Sequence, residues 1–119
     1  MADAMTTLAD LKDAVHAFAA EREWEPFHSP KNLTMSLAVE AAELMEHFLW
    51  VDTEESRRLV KDPAKLAEVG DEVADVACLL LNLSNVLGID LSDAIRSKMA
   101  RNALKYPVEK FRGRFQAKD

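Results

Sequence analysis

A chain of 119 residues is long enough for one domain with a core and too short for two. Its 49% apolar and 30% charged residues belong to a globular protein rather than a disordered one. The net charge of −6 argues against a nucleic-acid backbone as partner. No apolar run reaches the roughly 18 residues of a membrane span, and "MADAMTTLADLKD" lacks a basic segment followed by an apolar one, so the expectation is a cytoplasmic protein without membrane association. The single cysteine, Cys78, has no intrachain partner, and its apolar neighbours predict a buried packing role.

With three glycines, four prolines and no sustained apolar-polar alternation, the fold class is all-α, a bundle of four main helices. Thr7 and Asp10 form a capping pattern that opens helix one, which runs to about Arg22 with Leu8, Leu11, Val15 and Phe18 on one face. "EWEPFHSPKN" interrupts it. Ser29-Pro30 then supplies an N-cap and a first-turn proline, so helix two runs from Pro30 to about Trp50. After the polar connection "VDTEESRRLVKD", Asp62-Pro63 repeats that signal and opens helix three, which Gly88 ends. Helix four extends from about Leu91 to Lys105 and stops at "YP". The residues from 1 to 107 form the domain. The remaining stretch, 108–119, is a basic tail with two phenylalanines, suited to docking on a neighbouring surface.

Two stretches put acids where apolar residues belong. In "SLAVEAAELMEHF" Glu40 and Glu43 sit beside the stripe of Leu33, Leu37, Leu44 and Phe48. In "EVGDEVADVACLLLNL" Glu72 and Asp75 repeat the spacing, and Glu72 falls within the stripe of Val69, Val76, Leu80 and Leu87. Residues three apart on a helix point within about 60° of each other, so each pair shares a direction. Gathering carboxylates beside a core is costly unless something positive sits among them. Paired lysines or arginines would explain one such pair. Two pairs on neighbouring helices favour an oxygen-only cluster suited to Mg²⁺, with Mn²⁺ as its substitute, rather than zinc, which prefers cysteine and histidine. A di-iron bundle would need Glu-x-x-His on two helices. Here His47 has the wrong spacing from Glu43 and Glu46, and helix three has no histidine.

E-x-x-E, a gap of 28 residues and E-x-x-D resemble the signature of the all-α MazG-like nucleoside triphosphate pyrophosphohydrolases. "FAAEREWEPFHSPKNLTMSLAVEAAELMEHFLW" resembles the opening of their dCTP pyrophosphatase branch, and "LSDAIRSKMARNALKYP" its closing K-M-x-x-N-x-x-x-Y-P motif, so the likeness covers about residues 8–107. The resemblance implies cleavage between the α- and β-phosphates of a nucleoside triphosphate, giving a monophosphate and pyrophosphate, with dCTP or a modified dCTP as first-choice substrate. Glu40, Glu43, Glu72 and Asp75 would hold Mg²⁺, and Glu43, furthest from the stripe, would take the proton of the attacking water. Lys98, Asn102, Lys105 and Tyr106 share one face of helix four as phosphate donors. By the same resemblance Trp24 and Trp50 enclose the base, and His28 hydrogen-bonds base or phosphate. His16 and His47 are structural. The sequence departs from the dCTP-preferring pattern at Leu79, where an aromatic is typical, and at Val15, where a histidine is.

A face devoted to metal and phosphate leaves little core per chain, so self-association is expected to cover Met35, Met45 and neighbouring apolar surface. The resemblance points to a homodimer or, preferably, a tetramer. The competing expectation is a helical module that binds nucleotide, or only assembles, without turnover.

Overall fold

The computed structural model describes residues 1–116, all helix and connecting turns, with no strand among them. The elements are α1 (Ala2–Met5), α2 (Leu8–Glu21), a 3₁₀ turn (Glu25–Phe27), α3 (Pro30–Glu46), α4 (Thr53–Arg58), a second 3₁₀ turn (Leu59–Lys61), α5 (Pro63–Leu87), α6 (Leu91–Lys105) and α7 (Val108–Phe111). They form two compact units. The first ends at Gly88 and the second begins at Ile89. The last three residues of the basic tail, 117–119, lie outside the described residues. Among the described residues no single helix is long and apolar enough to cross a membrane.

Local chemistry sets the boundaries. Thr7 Oγ1 accepts from Asp10 N at 3.1 Å while Asp10 Oδ2 accepts from Thr7 N at 2.9 Å, a reciprocal cap that satisfies two otherwise orphaned donors at the start of α2. Ser29 and Asp62 accept from the backbone three residues on, each followed by a proline that needs no hydrogen-bond acceptor. Gly88 ends α5 in the left-handed region, at φ 66°, where a side chain would be strained. Helix α3 is shorter than the sequence suggests. It ends at Glu46, and residues 47–50 continue as looser turns held by Phe48 N donating to Met45 O at 2.9 Å. The polar connection contains a helix of its own, α4, capped by Asp52.

In the first unit α5 is the central rod, with α3 and α2 packed along it. The core is small: Ala19, Leu33, Val69 and Leu81 are buried, together with Ser84, whose hydroxyl donates to Leu80 O. Two of the expected stripes are rotated. On α5 the inward line is Val69, Glu72, Val76, Leu79 and Leu83, whereas Leu80 and Leu87 are exposed. On α2 the inward line is Leu8, Lys12, Val15 and Ala19, with Leu11 and Phe18 exposed, because the small Ala19 lets the helices approach closely. Asn85 Nδ2 donates to Lys12 O at 2.9 Å and ties α5 to α2.

In the second unit the turn after α6 brings the Tyr106 and Phe111 rings edge to face at 5.2 Å.

Candidate metal and nucleotide site

Two cross-helix contacts define how α3 and α5 face each other. Glu40 lies opposite Glu72, and His47 lies opposite Lys65, whose ammonium Nζ is 2.9 Å from His47 Nδ1. Seven residues forward on one helix match seven backward on the other, so the pair is antiparallel and the two contacts are separated by about 10 Å of helix rise. An ammonium can only donate, so His47 Nδ1 accepts and its remaining ring proton is on Nε2. Lys65 also donates to Glu68 at 3.3 Å. This pairing is invisible in the sequence, because a lysine in the first turn of a helix ordinarily reads as solvated.

Ligand oxygens of Glu40, Glu43 and Glu72 all lie within 4.8 Å of one another. Glu40 and Glu72 are half-buried, and in each the Oε2 atom is shut off from solvent without a hydrogen-bond partner. Glu43, a turn beyond Glu40 and away from the stripe, is exposed. No ion pair involving these acids or Asp75 occurs among the described residues, so no described lysine or arginine neutralises the cluster. The strain is visible in Glu40. The Glu43 carboxyl beside it, with which it can share a proton, holds its pKa above the ordinary 4.5; burial adds to this, as do the charges of Glu43, Asp75 and Glu72.

These residues fit a divalent cation. The donors are all carboxylate oxygens, the hard ligands that Mg²⁺ and Mn²⁺ take. Oxygens around one Mg²⁺ stand at most roughly 4 Å apart, within an ångström of the spread found here. Two buried, partnerless carboxylate oxygens are also the atoms that a cation would satisfy. Asp75 stands outside the trio. It is one turn further along α5, exposed, and close enough to Glu40 to act on its charge.

Asp75 also lines a cavity of about 460 Å³ between α2 and α5 whose walls are mainly apolar. Val15, Phe18, Cys78 and Leu79 contribute to it, with Trp24, His28 and Asn82. Cys78 is therefore not core: it is exposed and faces this space, because α5 is apolar around most of its girth and composition alone did not say which side was inward. The aromatic end is built by the termination of α2. Trp24 N donates to Ala19 O and Glu23 N to Ala20 O, both at 3.0 Å, a double closure that requires a left-handed residue, and here Glu23 occupies it at φ 54°. The chain then folds back so that Trp24 meets Phe18 at 5.8 Å and His28 at 6.2 Å, both edge to face, while the Arg22 guanidinium lies 3.6 Å over the Phe18 ring. A left-handed non-glycine residue costs about 1–2 kcal/mol. Glu23→Gly is expected to raise stability by about 0.5–1 kcal/mol, once the extra chain entropy of glycine is set against that relief. A denaturant melt at constant m-value checks it.

Trp50 is not part of this wall. It is 92% exposed, in the loop after α3. In the second unit Lys98, Asn102, Lys105 and Tyr106 follow one another along α6 and its C-cap; Asn102 is half-buried, the other three are exposed, and the Lys105 ammonium lies 5.3 Å from the Tyr106 ring.

A family model described as the MazG-like family matches residues 35–117. Among curated proteins, dCTP pyrophosphatase 1 of Bos taurus is 38% identical over 107 residues, covering 90% of this chain and 63% of that protein. The Mus musculus protein of the same name is 39% identical over the same shares, and the Homo sapiens one is 38% identical over 86% of this chain and 60% of its own length. The chain thus spans less than two thirds of these relatives. Among solved structures, a pyrophosphatase from Archaeoglobus fulgidus is 38% identical and superposes with a TM-score of 0.74, covering 83% of this chain and 91% of that one. The family model takes in the four acids and the K-M-x-x-N-x-x-x-Y-P segment, more than half of the chain, and the archaeal structure superposes on most of it: the chain belongs to the MazG-like family.

Proposed function

We propose that this chain is a nucleoside triphosphate pyrophosphohydrolase that uses Mg²⁺ and releases a nucleoside monophosphate and pyrophosphate, with dCTP or a modified dCTP as the preferred substrate. The observation that carries the reading is the acidic trio with two buried, partnerless oxygens, adjoining a cavity of about 460 Å³ through Asp75. The names of the relatives support it, being dCTP pyrophosphatases and a pyrophosphatase.

Glu40 and Glu72 hold the cation, with Glu43 and Asp75 completing the acidic set. Bound there, Mg²⁺ neutralises triphosphate charge and makes water more acidic. Glu43 is the proton acceptor of the reaction: it is the solvent-facing member of the trio, so a water can reach it. That water's oxygen forms a bond to the α-phosphorus, its proton passes to the Glu43 carboxylate, and the bond from the α-phosphorus to the bridging oxygen breaks with its electron pair leaving on pyrophosphate. Trp24 and His28 receive the base. Lys98, Asn102, Lys105 and Tyr106, on one helical face, donate to phosphate oxygens.

We assign Trp50 to the base as well, in an assembled form. A tryptophan this exposed, with Met35, Val39 and Met45 more than half exposed on α3, leaves apolar surface that a second copy of the chain would cover. Self-association into a dimer or tetramer, a four-helix bundle and a cytoplasmic location belong to this proposal.

The test is a panel of nucleoside triphosphates with and without Mg²⁺, with products resolved. The expected outcome is Mg²⁺-dependent pyrophosphate in equal amount to monophosphate, fastest with deoxycytidine substrates. Orthophosphate as first product would contradict the reading, and nucleotide binding with no product would make the protein a non-catalytic module.

A further inference from the structure

The cavity beside Asp75 has a polar group that the proposed reaction leaves without a task. Asn82 lies on α5, two turns beyond Asp75, half-buried, and its amide has no hydrogen-bond partner among the described residues. Its neighbour Asn85 is a useful contrast, because that amide is held by Lys12 O at 2.9 Å and serves packing. In the rest of the wall Val15, Phe18 and Leu79 have no polar side-chain atom, the Cys78 thiol is a weak donor, and Asp75 is drawn into the acidic set; Trp24 has a single donor, and the two ring nitrogens of His28 point apart, so neither presents a donor and an acceptor side by side.

We infer that Asn82 is the residue that reads the Watson–Crick edge of the base, and that it does so without separating 4-amino from 4-oxo pyrimidines. The inference rests on the proposed reading of the cavity as the nucleobase pocket. A carboxamide presents one acceptor and one donor side by side. Facing cytosine, Oδ1 accepts from the 4-amino group while Nδ2 donates to N3. Facing uracil, the amide turned by half a rotation donates to O4 and accepts from N3–H. Nothing among the described residues fixes which way the Asn82 amide points, so both pairings are open to it. Binding therefore extends to deoxypyrimidine triphosphates of both kinds, and the dCTP preference of the proposed reaction is one of rate rather than affinity. An ionised carboxylate in its place would present acceptors alone, matching one group and opposing the other on either base, N3 of cytosine and O4 of uracil.

The test is calorimetric titration of the full chain with Mg²⁺ and the α,β-imido analogues of dCTP and dUTP, whose bridging nitrogen resists cleavage at that bond. Wild type is expected to bind the two within about threefold of each other. Asn82→Ala is expected to weaken both by about tenfold, the worth of a buried hydrogen-bonded pair. Asn82→Asp, titrated at about pH 8 to keep the carboxylate ionised, is expected to weaken both by at least about tenfold, because either base then sets one acceptor against the carboxylate. Unchanged affinities in Asn82→Ala or in Asn82→Asp, or a wild type that separates the two analogues more than about tenfold, would overturn the inference. Circular dichroism and Mn²⁺ binding of both variants show that fold and acidic site are retained. Because binding is measured without turnover, a failed pyrophosphate assay would remove the reaction and leave this result readable.

Discussion

Glu40→Gln is expected to lower kcat/KM for nucleotide hydrolysis by more than about 100-fold, a loss that disturbing an outer partner of a metal ligand can already reach. The same substitution is expected to raise the melting temperature of the metal-free protein. Both follow from one fact, that Glu40 has an oxygen buried without a partner and three other acids acting on it. Its carboxyl pKa is raised in the folded chain, so the folded state holds that proton more tightly than the unfolded one. Stability from this group is therefore greatest at mildly acid pH and is lost as pH rises through the raised value. Glutamine keeps the shape, can still hydrogen-bond Glu43, and has no charge to lose. Melting curves from about pH 5 to about pH 8 in chelator should then show wild type falling more steeply than the variant. Adding Mg²⁺ should stabilise wild type at the upper end and leave Glu40→Gln nearly unmoved. A variant that retains most of its activity would remove Glu40 from the site.

Leu33→Ala is expected to be the most damaging single truncation for the fold. Leu33 is 2% exposed, the most deeply buried large side chain among the described residues, in a unit whose core has few other members. Removing it takes away the transfer energy of the side chain and leaves a void that a pair of long packed helices closes poorly, at a cost of about 3 kcal/mol. For a domain of this size that corresponds to roughly 10 °C in Tm. The antiparallel register that sets Glu40 against Glu72 also brings Leu33 to the level of Leu79, so the void would open beside the cavity wall. Chemical denaturation of Leu33→Ala against the exposed control Met35→Ala checks both size and locality, the control being expected to change by no more than about 0.5 kcal/mol in the isolated chain.

The caps and the breaks of the fold were legible because their causes are local. Ser29-Pro30, Asp62-Pro63 and Gly88 state where α3 and α5 begin and end without reference to any other part of the chain. The acidic trio was legible for a related reason: a three-residue spacing has one meaning on a helix, and Glu72 interrupts an apolar line that had no other use for it. What failed was orientation around α5. With leucine at 79, 80, 81 and 83, periodicity does not choose a face, and only packing against α3 and α2 shows that Leu79 and Leu83 turn inward while Leu80 does not. The same ambiguity hid Cys78 and Asn82 on the cavity wall. On α2 the expectation followed the largest side chains, Leu11 and Phe18, and the structure buried Ala19 instead. The pairing of Lys65 with His47 depends on the α3–α5 register, which no local pattern encodes.

Titration of the metal-free protein with Mn²⁺, followed by the loss of the free-ion electron paramagnetic resonance signal, bears most directly on the claim that Glu40, Glu43 and Glu72 form a cation site. Saturable uptake by wild type that competes with Mg²⁺ and is lost in Glu72→Gln is the predicted result. Equal uptake by wild type and Glu72→Gln, or none by wild type, would contradict it.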